Sequence, residues 1–263
     1  MSAQTPAAGT EQDRGDRRAP GEGVSGLTVS DLRVVYPNGA IGVDGVSLDV
    51  RPGRITAVLG RNGAGKTSLL TGLAGFLRSE RVAVTGSARL GGVDVAGVGP
   101  ARSNRAGLVL VPERDKVFPS LKVSENLALV TPKAAPGGTG LGALATAFPV
   151  IERRADSAAG MLSGGERQML ALAMAMVQRP RALLVDELSL GLAPVIVKQL
   201  MTALKAMADE LGLPVLLVEQ DAVAAMKVAD DLYVLDRGRI AWQGPTGETS
   251  AAELGRRYLG VPT

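Results

Sequence analysis

Short apolar runs alternating with helical patterns predict an α/β fold built on a largely parallel sheet. Three observations carry this expectation. Residues 108–111 (LVLV), 182–185 (ALLV) and 214–218 (PVLLV) are brief apolar runs of the kind found in strands buried on both faces. Residues 164–178 and 194–211 separate them with the longer patterns of helices. A glycine-rich loop joins a further apolar run, 54–59 (RITAVL), to a helical pattern at 66–77.

The remaining elements follow in chain order. Residues 1–26 are polar and rich in Ala, Gly and mixed charge, without the apolar stretch of a secretory signal, so a disordered tail is expected there. The folded domain is assigned to residues 27–263. Residues 27–36 (LTVSDLRVVY) are strand-like, Pro37-Asn38-Gly39 marks a turn, and 41–50 resumes the strand pattern. Leu69, Leu70, Leu73, Phe76 and Leu77 recur at helical spacing. Residues 91–105 are expected to form loop plus a short helix. Pro112 cuts off the strand at 108–111, residues 132–142 (PKAAPGGTGLG) resemble a linker, and 144–154 is expected as a helix broken by Pro149. The helix from 164 stops before Pro180, residues 222–228 are helical in pattern, and 232–235 and 239–243 are closing strands. The longest wholly apolar run, 169–177, is far below the ~20 residues of a spanning helix, so a cytoplasmic protein is expected.

Composition narrows the chemistry. The 263 residues include no histidine and no cysteine. A histidine proton shuttle, a Ser-His-Asp triad, a catalytic thiol, a disulfide and a Cys/His zinc site are therefore excluded. Hydrophobic residues make up 46% and aromatic ones 3%, so the core must be aliphatic. Twenty-nine basic against 26 acidic residues leave a charge of +3, too mild to suggest a nucleic-acid partner.

Two motifs carry chemistry. Gly60-Arg61-Asn62-Gly63-Ala64-Gly65-Lys66-Thr67 fits G-x-x-x-x-G-K-[ST] between a predicted strand and a predicted helix. Small residues let successive backbone N–H groups surround a phosphate, and the helix N-terminus adds its positive end. Lys66 would reach the β- and γ-phosphates and the Thr67 hydroxyl would ligate Mg²⁺. Second, the apolar run 182–185 ends in Asp186 and Glu187. Carboxylates at the C-terminal edge of a parallel sheet lie where such sheets bind ligands. Asp186 would hold Mg²⁺ through water, and Glu187 would orient and polarise the attacking water. With no histidine present, Glu187 is the candidate general base.

Leu162-Ser163-Gly164-Gly165-Glu166-Arg167-Gln168 resembles the LSGGQ signature of ATP-binding cassette (ABC) proteins, with Glu166 where Gln is commoner. The same residues satisfy a helix capping box, S-x-x-E, and both readings can hold together. The resemblance spans about residues 27–259. It implies a P-loop core with a mostly parallel sheet, an antiparallel β subdomain, and a helical subdomain at about 113–178 carrying the signature. It implies ATP and Mg²⁺ as ligands, with Ser68 extending the phosphate loop. Ser163, Gly164, Gly165 and Glu166 would contact the γ-phosphate bound to a second ATPase subunit, itself or a sister chain, in a head-to-tail dimer. Tyr36 falls where the family stacks an aromatic on adenine, although a strand tyrosine is otherwise core or edge packing. Ser189-Leu190-Gly191-Leu192 resembles the loop that crosses the dimer interface.

Departures from the common pattern are informative. Glu113 follows Pro112 where the family usually has a Gln that reaches Mg²⁺; a carboxylate can ligate the ion but adds negative charge, which Arg114 and Lys116 could offset. Gln220 occupies the place of the switch histidine and can hydrogen-bond a phosphate oxygen without shuttling a proton. Val111-Pro112-Glu113, Val117-Phe118-Pro119, Val123-Ser124-Glu125-Asn126-Leu127, LSLGLAP at 188–194, LVEQ at 217–220 and Arg257-Tyr258-Leu259-Gly260 together resemble one group. That group is the second ATPase subunit of branched-chain amino acid importers, close to the urea and short-chain amide importers. Leu188 replaces its usual proline, and the segment after Val130 is shorter and glycine-rich. The resemblance implies a peripheral subunit on the cytoplasmic face of the membrane, docked on two integral-membrane permeases and served indirectly by a solute-binding protein. A soluble ABC ATPase of translation or repair is the rival from a different class. Such proteins carry two cassettes or a long coiled-coil insertion, and neither is visible here.

Overall fold

The computed structural model describes residues 25–77, 81–114, 116–132 and 147–259. The expected disordered tail, apart from Ser25 and Gly26, lies outside the described residues, as do residues 133–142 of the linker-like segment.

Two sheets are present, as the fold class predicts. Strands β1 (Leu27–Val35), β2 (Ile41–Val50), β4 (Ala83–Leu90) and β5 (Val93–Asp94) form an antiparallel sheet in the order β2-β1-β4-β5. The Pro37–Gly39 turn closes its first hairpin: the Tyr36 N–H donates to the Ala40 carbonyl at 2.8 Å, and the Asn38 side chain accepts the Ala40 N–H. Strands β3 (Ile55–Leu59), β6 (Leu108–Val111), β7 (Ala182–Asp186), β8 (Val215–Glu219), β9 (Asp231–Asp236) and β10 (Arg239–Pro245) form the second sheet, in the order β10-β9-β3-β8-β7-β6. Every pairing there is parallel except β9 with β10.

Why the central strands are almost wholly apolar before their C-terminal ends is visible in their alternation. Ile55, Ala57 and Leu59 face one core cluster, and so do Leu183, Val185, Val215 and Leu217. Val58, Leu184, Leu216 and Val218 face the other. One face is covered by helices and the other by α1 and the antiparallel sheet, so a polar side chain there needs a partner inside, as Thr56 has in the Asp49 carbonyl at 3.2 Å. Helix α1 (Lys66–Ala74) packs Leu69, Leu70 and Leu73 beside the antiparallel sheet. Helix α2 (Pro100–Arg105) fulfils the short helix expected after residue 91, with β5 ahead of it. On the opposite face lie α3 (Val123–Val130), α4 (Pro149–Arg153), α5 (Gly164–Val177), α6 (Pro194–Leu211) and α7 (Ala222–Met226), and α8 (Ala251–Leu254) follows the last strand.

One expectation is corrected. The helix from Lys66 ends at Ala74, short of Phe76 and Leu77, because Gly75 adopts φ +79° and a Cβ there would meet the Gly99 backbone at 2.7 Å. Phe76 is accordingly half exposed instead of joining the apolar face. The expected break at Pro149 is present: Ala147 is helical, Phe148 is not, and Pro149 occupies the first turn of α4, where its missing N–H costs nothing.

The parallel register brings several chain segments to one sheet edge. Leu59 pairs with Glu219, Val218 with Asp186, and Val185 with Val111. The C-terminal ends of β3, β6, β7 and β8 thus open onto a common edge, where doubly covered sheets place their ligands.

Candidate functional site

The phosphate loop follows β3 directly. Gly65 takes φ +108°, and a Cβ there would sit 2.0 Å from the Gly42 carbonyl oxygen, so no other residue fits without moving β2. Gly60 is similarly confined by the Leu235 carbonyl. The first turn of α1 has neither a side-chain cap nor an acidic residue, which leaves its N–H groups directed at the loop. Lys66 is 5% exposed, and its ammonium donates to the carbonyls of Gly60 at 2.9 Å and Arg61 at 3.3 Å. Its third partner is Glu187, with Nζ 3.2 Å from Oε1.

Glu187 is the first residue beyond β7. Its backbone N–H donates to Val218 and its φ is +45°, a left-handed conformation that costs a non-glycine residue roughly 1–3 kcal/mol. Such strain is typical of positions that the surroundings hold for function. Gly63, Gly65, Lys66, Thr67, Ser68, Asn62 and Gly42 line a cleft of about 420 Å³ together with Glu113, Arg114, Glu187, Leu190 and Gln220. The phosphate loop, the candidate base, Glu113 and Gln220 therefore meet in one place. Gly60, Arg61 and Ala64 do not line it, though the Gly60 and Arg61 carbonyls hold the Lys66 ammonium that does.

Asp186 lies just beneath. It is 4% exposed, and its Oδ1 has no hydrogen-bond partner. Burial, reinforced by the neighbouring Glu187 and Glu113 carboxylates, pushes its carboxyl from 3.8 to about 6, while Lys66 and Lys116 oppose the rise. An orphaned, buried carboxylate oxygen near two further carboxylates, those of Glu187 and Glu113, offers hard oxygen donors suited to Mg²⁺. Among the described residues no group of three or more acids could cage a metal unaided. Mg²⁺ held partly by phosphates does not require such a cage.

Tyr36 lies at the cleft's margin. Its hydroxyl is 2.8 Å from the Ser68 Oγ, and its ring packs over Gly42, where a Cβ would come within 2.9 Å of the ring. The signature segment is elsewhere, and none of Ser163, Gly164, Gly165 or Glu166 lines the cleft. Ser163 caps α5 in a full capping box: its Oγ accepts the Glu166 N–H at 3.2 Å, and Glu166 accepts the Ser163 N–H at 2.8 Å. Those bonds lower the Glu166 carboxyl below its ordinary range. A Cβ on Gly165 would stand 2.6 Å from the Ile196 side chain and one on Gly164 3.3 Å from that of Leu192, so the paired glycines also let α6 and the loop before it approach.

A family model described as ABC transporter matches residues 43–189, which contain the whole phosphate loop, the signature and the acidic strand end. The chain belongs to the ABC transporter family. Its ATP-binding domain is an ATPase of that family, with the phosphate loop and acidic strand end on one sheet edge. The chain is 39% identical over 218 residues to the high-affinity branched-chain amino acid transport ATP-binding protein BraG of Pseudomonas aeruginosa, covering 80% of this chain and 87% of that protein. Over 205 residues it is 35% identical to the probable branched-chain amino acid transport ATP-binding protein LivF of Archaeoglobus fulgidus, with 77% and 85% covered. The fold of this ABC ATPase matches that of cbiO1 from Clostridium perfringens, with a TM-score of 0.73 and 24% identity over 88% of this chain and 94% of that one.

Two functional-looking contacts had no role in the sequence reading. Glu219, buried at the end of β8, grips Ser189 of the loop after β7. Lys116, whose ammonium burial makes less basic, is hydrogen-bonded to the buried Gln168 of α5. The first carried a readable sign, since an acid ending an apolar parallel strand repeats the pattern of Asp186. The second joins residues 52 apart and has no local sign.

Proposed function

We propose that this chain is the energy-coupling subunit of a membrane importer for branched-chain amino acids, hydrolysing Mg·ATP in the cleft between the phosphate loop, Glu187 and Gln220. The observation that carries the reading is the convergence of Lys66, Glu187, Glu113 and Gln220 on that one cleft. The phosphate-loop N–H groups and Lys66 bind the β- and γ-phosphates, and Tyr36 stacks on adenine beside Ser68. Thr67, Asp186 and Glu113 would hold Mg²⁺, which when bound neutralises charge developing on the transferred phosphoryl group. A γ-phosphate competes with Glu187 for the Lys66 ammonium. Glu187, released from that pair, takes the proton of the attacking water. Gln220 donates its amide N–H to a γ-phosphate oxygen and cannot move a proton.

Ser163, Gly164, Gly165 and Glu166 then serve the γ-phosphate of a second ATPase subunit, identical or sister, in a head-to-tail dimer. That none of them lines this chain's own cleft supports the arrangement. Residues 27–263 form the ATP-binding domain, and about 113–178 its helical subdomain. Closure and reopening drive two permeases at the cytoplasmic face of the membrane; among the described residues no helix is long and apolar enough to cross it. The solute class is supported by the similarity to BraG and LivF, with 80% and 77% of this chain covered. Uptake of labelled leucine and labelled urea by cells lacking this chain tests it. Loss of leucine uptake is expected, loss of urea uptake alone reassigns the solute, and loss of neither overturns the importer reading.

A further inference from the structure

Glu219 is a buried acid for which ATP hydrolysis has no direct use. It is 1% exposed at the end of β8, between the strand that leads to Gln220 and the loop that leaves Glu187. Both of its oxygens are committed to one residue. Oε1 accepts the Ser189 backbone N–H at 2.9 Å, and Oε2 accepts the Ser189 hydroxyl at 2.7 Å. Burial pushes its carboxyl up, the Ser189 bonds pull it down, and the Glu187 charge repels it. A carboxylate kept at such a place, against desolvation and a like charge, needs a reason in geometry. A two-point acceptor fixes both the backbone and the side chain of Ser189, which a single hydroxyl or amide bond does less rigidly.

The residues either side of Ser189 give that fixation its consequence. Glu187, two positions earlier, is in the left-handed conformation; Leu190, one position later, lines the cleft. Gln220 lines it too, directly after Glu219. One carboxylate therefore ties the loop carrying the base to the strand end carrying the γ-phosphate-facing amide.

We propose that Glu219 is a positioning residue for hydrolysis, clamping Ser189 so that Glu187 and Gln220 move as one unit. The proposal rests on the functional reading above, because it assumes that Glu187 activates water. It predicts an effect on the chemical step and little on nucleotide binding, since neither Glu219 nor Ser189 lines the cleft.

The test measures kcat, KM and ATP dissociation constants on the purified full-length chain for Glu219→Ala, Glu219→Gln, Ser189→Ala and the Ser189→Ala/Glu219→Ala double variant. Glu219→Ala is expected to lower kcat about 10- to 100-fold, the scale of a misplaced catalytic group, with the ATP dissociation constant within about twofold. Glu219→Gln should recover most of kcat, because its carbonyl can accept the Ser189 N–H while its amide donates to the Ser189 hydroxyl. The double variant should be no slower than Glu219→Ala. Wild-type kcat in Glu219→Ala, loss in Glu219→Gln as deep as in Glu219→Ala, or additive losses in the double variant would overturn the clamp. Should Glu219→Ala fail to fold, Ser189→Ala decides, since unchanged kcat there is equally fatal to it. A wild-type chain that binds no Mg·ATP fails the functional reading itself, an outcome distinct from any of these.

Discussion

Replacing Asp186 by Asn should make the protein more stable and less able to use Mg²⁺. The carboxyl is buried, leaves Oδ1 without a partner, and titrates at about 6 where an ordinary aspartate titrates at 3.8. Raising it that far disfavours the charged form by about 3 kcal/mol. The sign follows from linkage: the folded state binds the proton more tightly than the unfolded chain, so the penalty is absent below about pH 4 and grows as pH rises toward and past 6. Asn carries no such penalty at any pH. With EDTA and no nucleotide, Asp186→Asn should therefore exceed the wild type by up to about 3 kcal/mol at pH 8, roughly 6–12 °C in Tm. At pH 5 the gap should shrink to about half. Differential scanning calorimetry of both proteins at the two pH values measures it, and ATP titration with and without Mg²⁺ should show that only the wild type gains affinity from the metal. An Asn variant less stable than the wild type at pH 8, or a gap that does not narrow at pH 5, would refute the reasoning that this carboxylate is held charged against its surroundings.

Other substitutions probe the rest of the cleft. Glu187→Gln should cut hydrolysis by about 10²–10⁴-fold while ATP still binds, because Gln cannot accept the water's proton; single-turnover hydrolysis beside a binding isotherm checks both. Gly65→Ala should abolish nucleotide binding, since its Cβ would meet the Gly42 carbonyl at 2.0 Å, and the change is read by ATP titration on protein shown to be folded by circular dichroism. Tyr36→Ala should weaken adenine nucleotides by about 1–3 kcal/mol while leaving inorganic triphosphate binding unchanged. Gln220→Ala should slow hydrolysis without flattening a pH profile, because the residue it removes holds no titratable proton.

How much of this was legible in the sequence depended on how local each signal is. Residues 60–67 announce a phosphate loop because the fold needs small residues at fixed spacing, and the structure returns the reason in Gly65. Asp186 and Glu187 were legible because acids ending an apolar strand must emerge at the sheet edge. The antiparallel strands β4 and β5 were not, since Ala83–Leu90 is only partly buried and is held by pairing with β1, about 50 to 60 residues earlier. Helix α3 begins after Lys122, a poor capping residue, and its start is secured instead by the Lys122 N–H donating to Glu125. Gly75 ended a helix that the pattern carried on to Leu77, because helical periodicity records which residues are apolar and not where the backbone must turn. The clamp between Glu219 and Ser189 sat inside two recognised segments, yet its meaning emerges only when β7 and β8 lie side by side.

The central claim is that the Lys66–Glu187 cleft hydrolyses ATP. Phosphate release from Mg·ATP by the purified full-length chain, compared with Lys66→Ala, tests it most directly. Steady release by the wild type and a rate at least about 100-fold lower in Lys66→Ala is the predicted result, given that the lysine's charge acts on the transferred phosphate. Equal rates in the two proteins, or no release by the wild type, would contradict it.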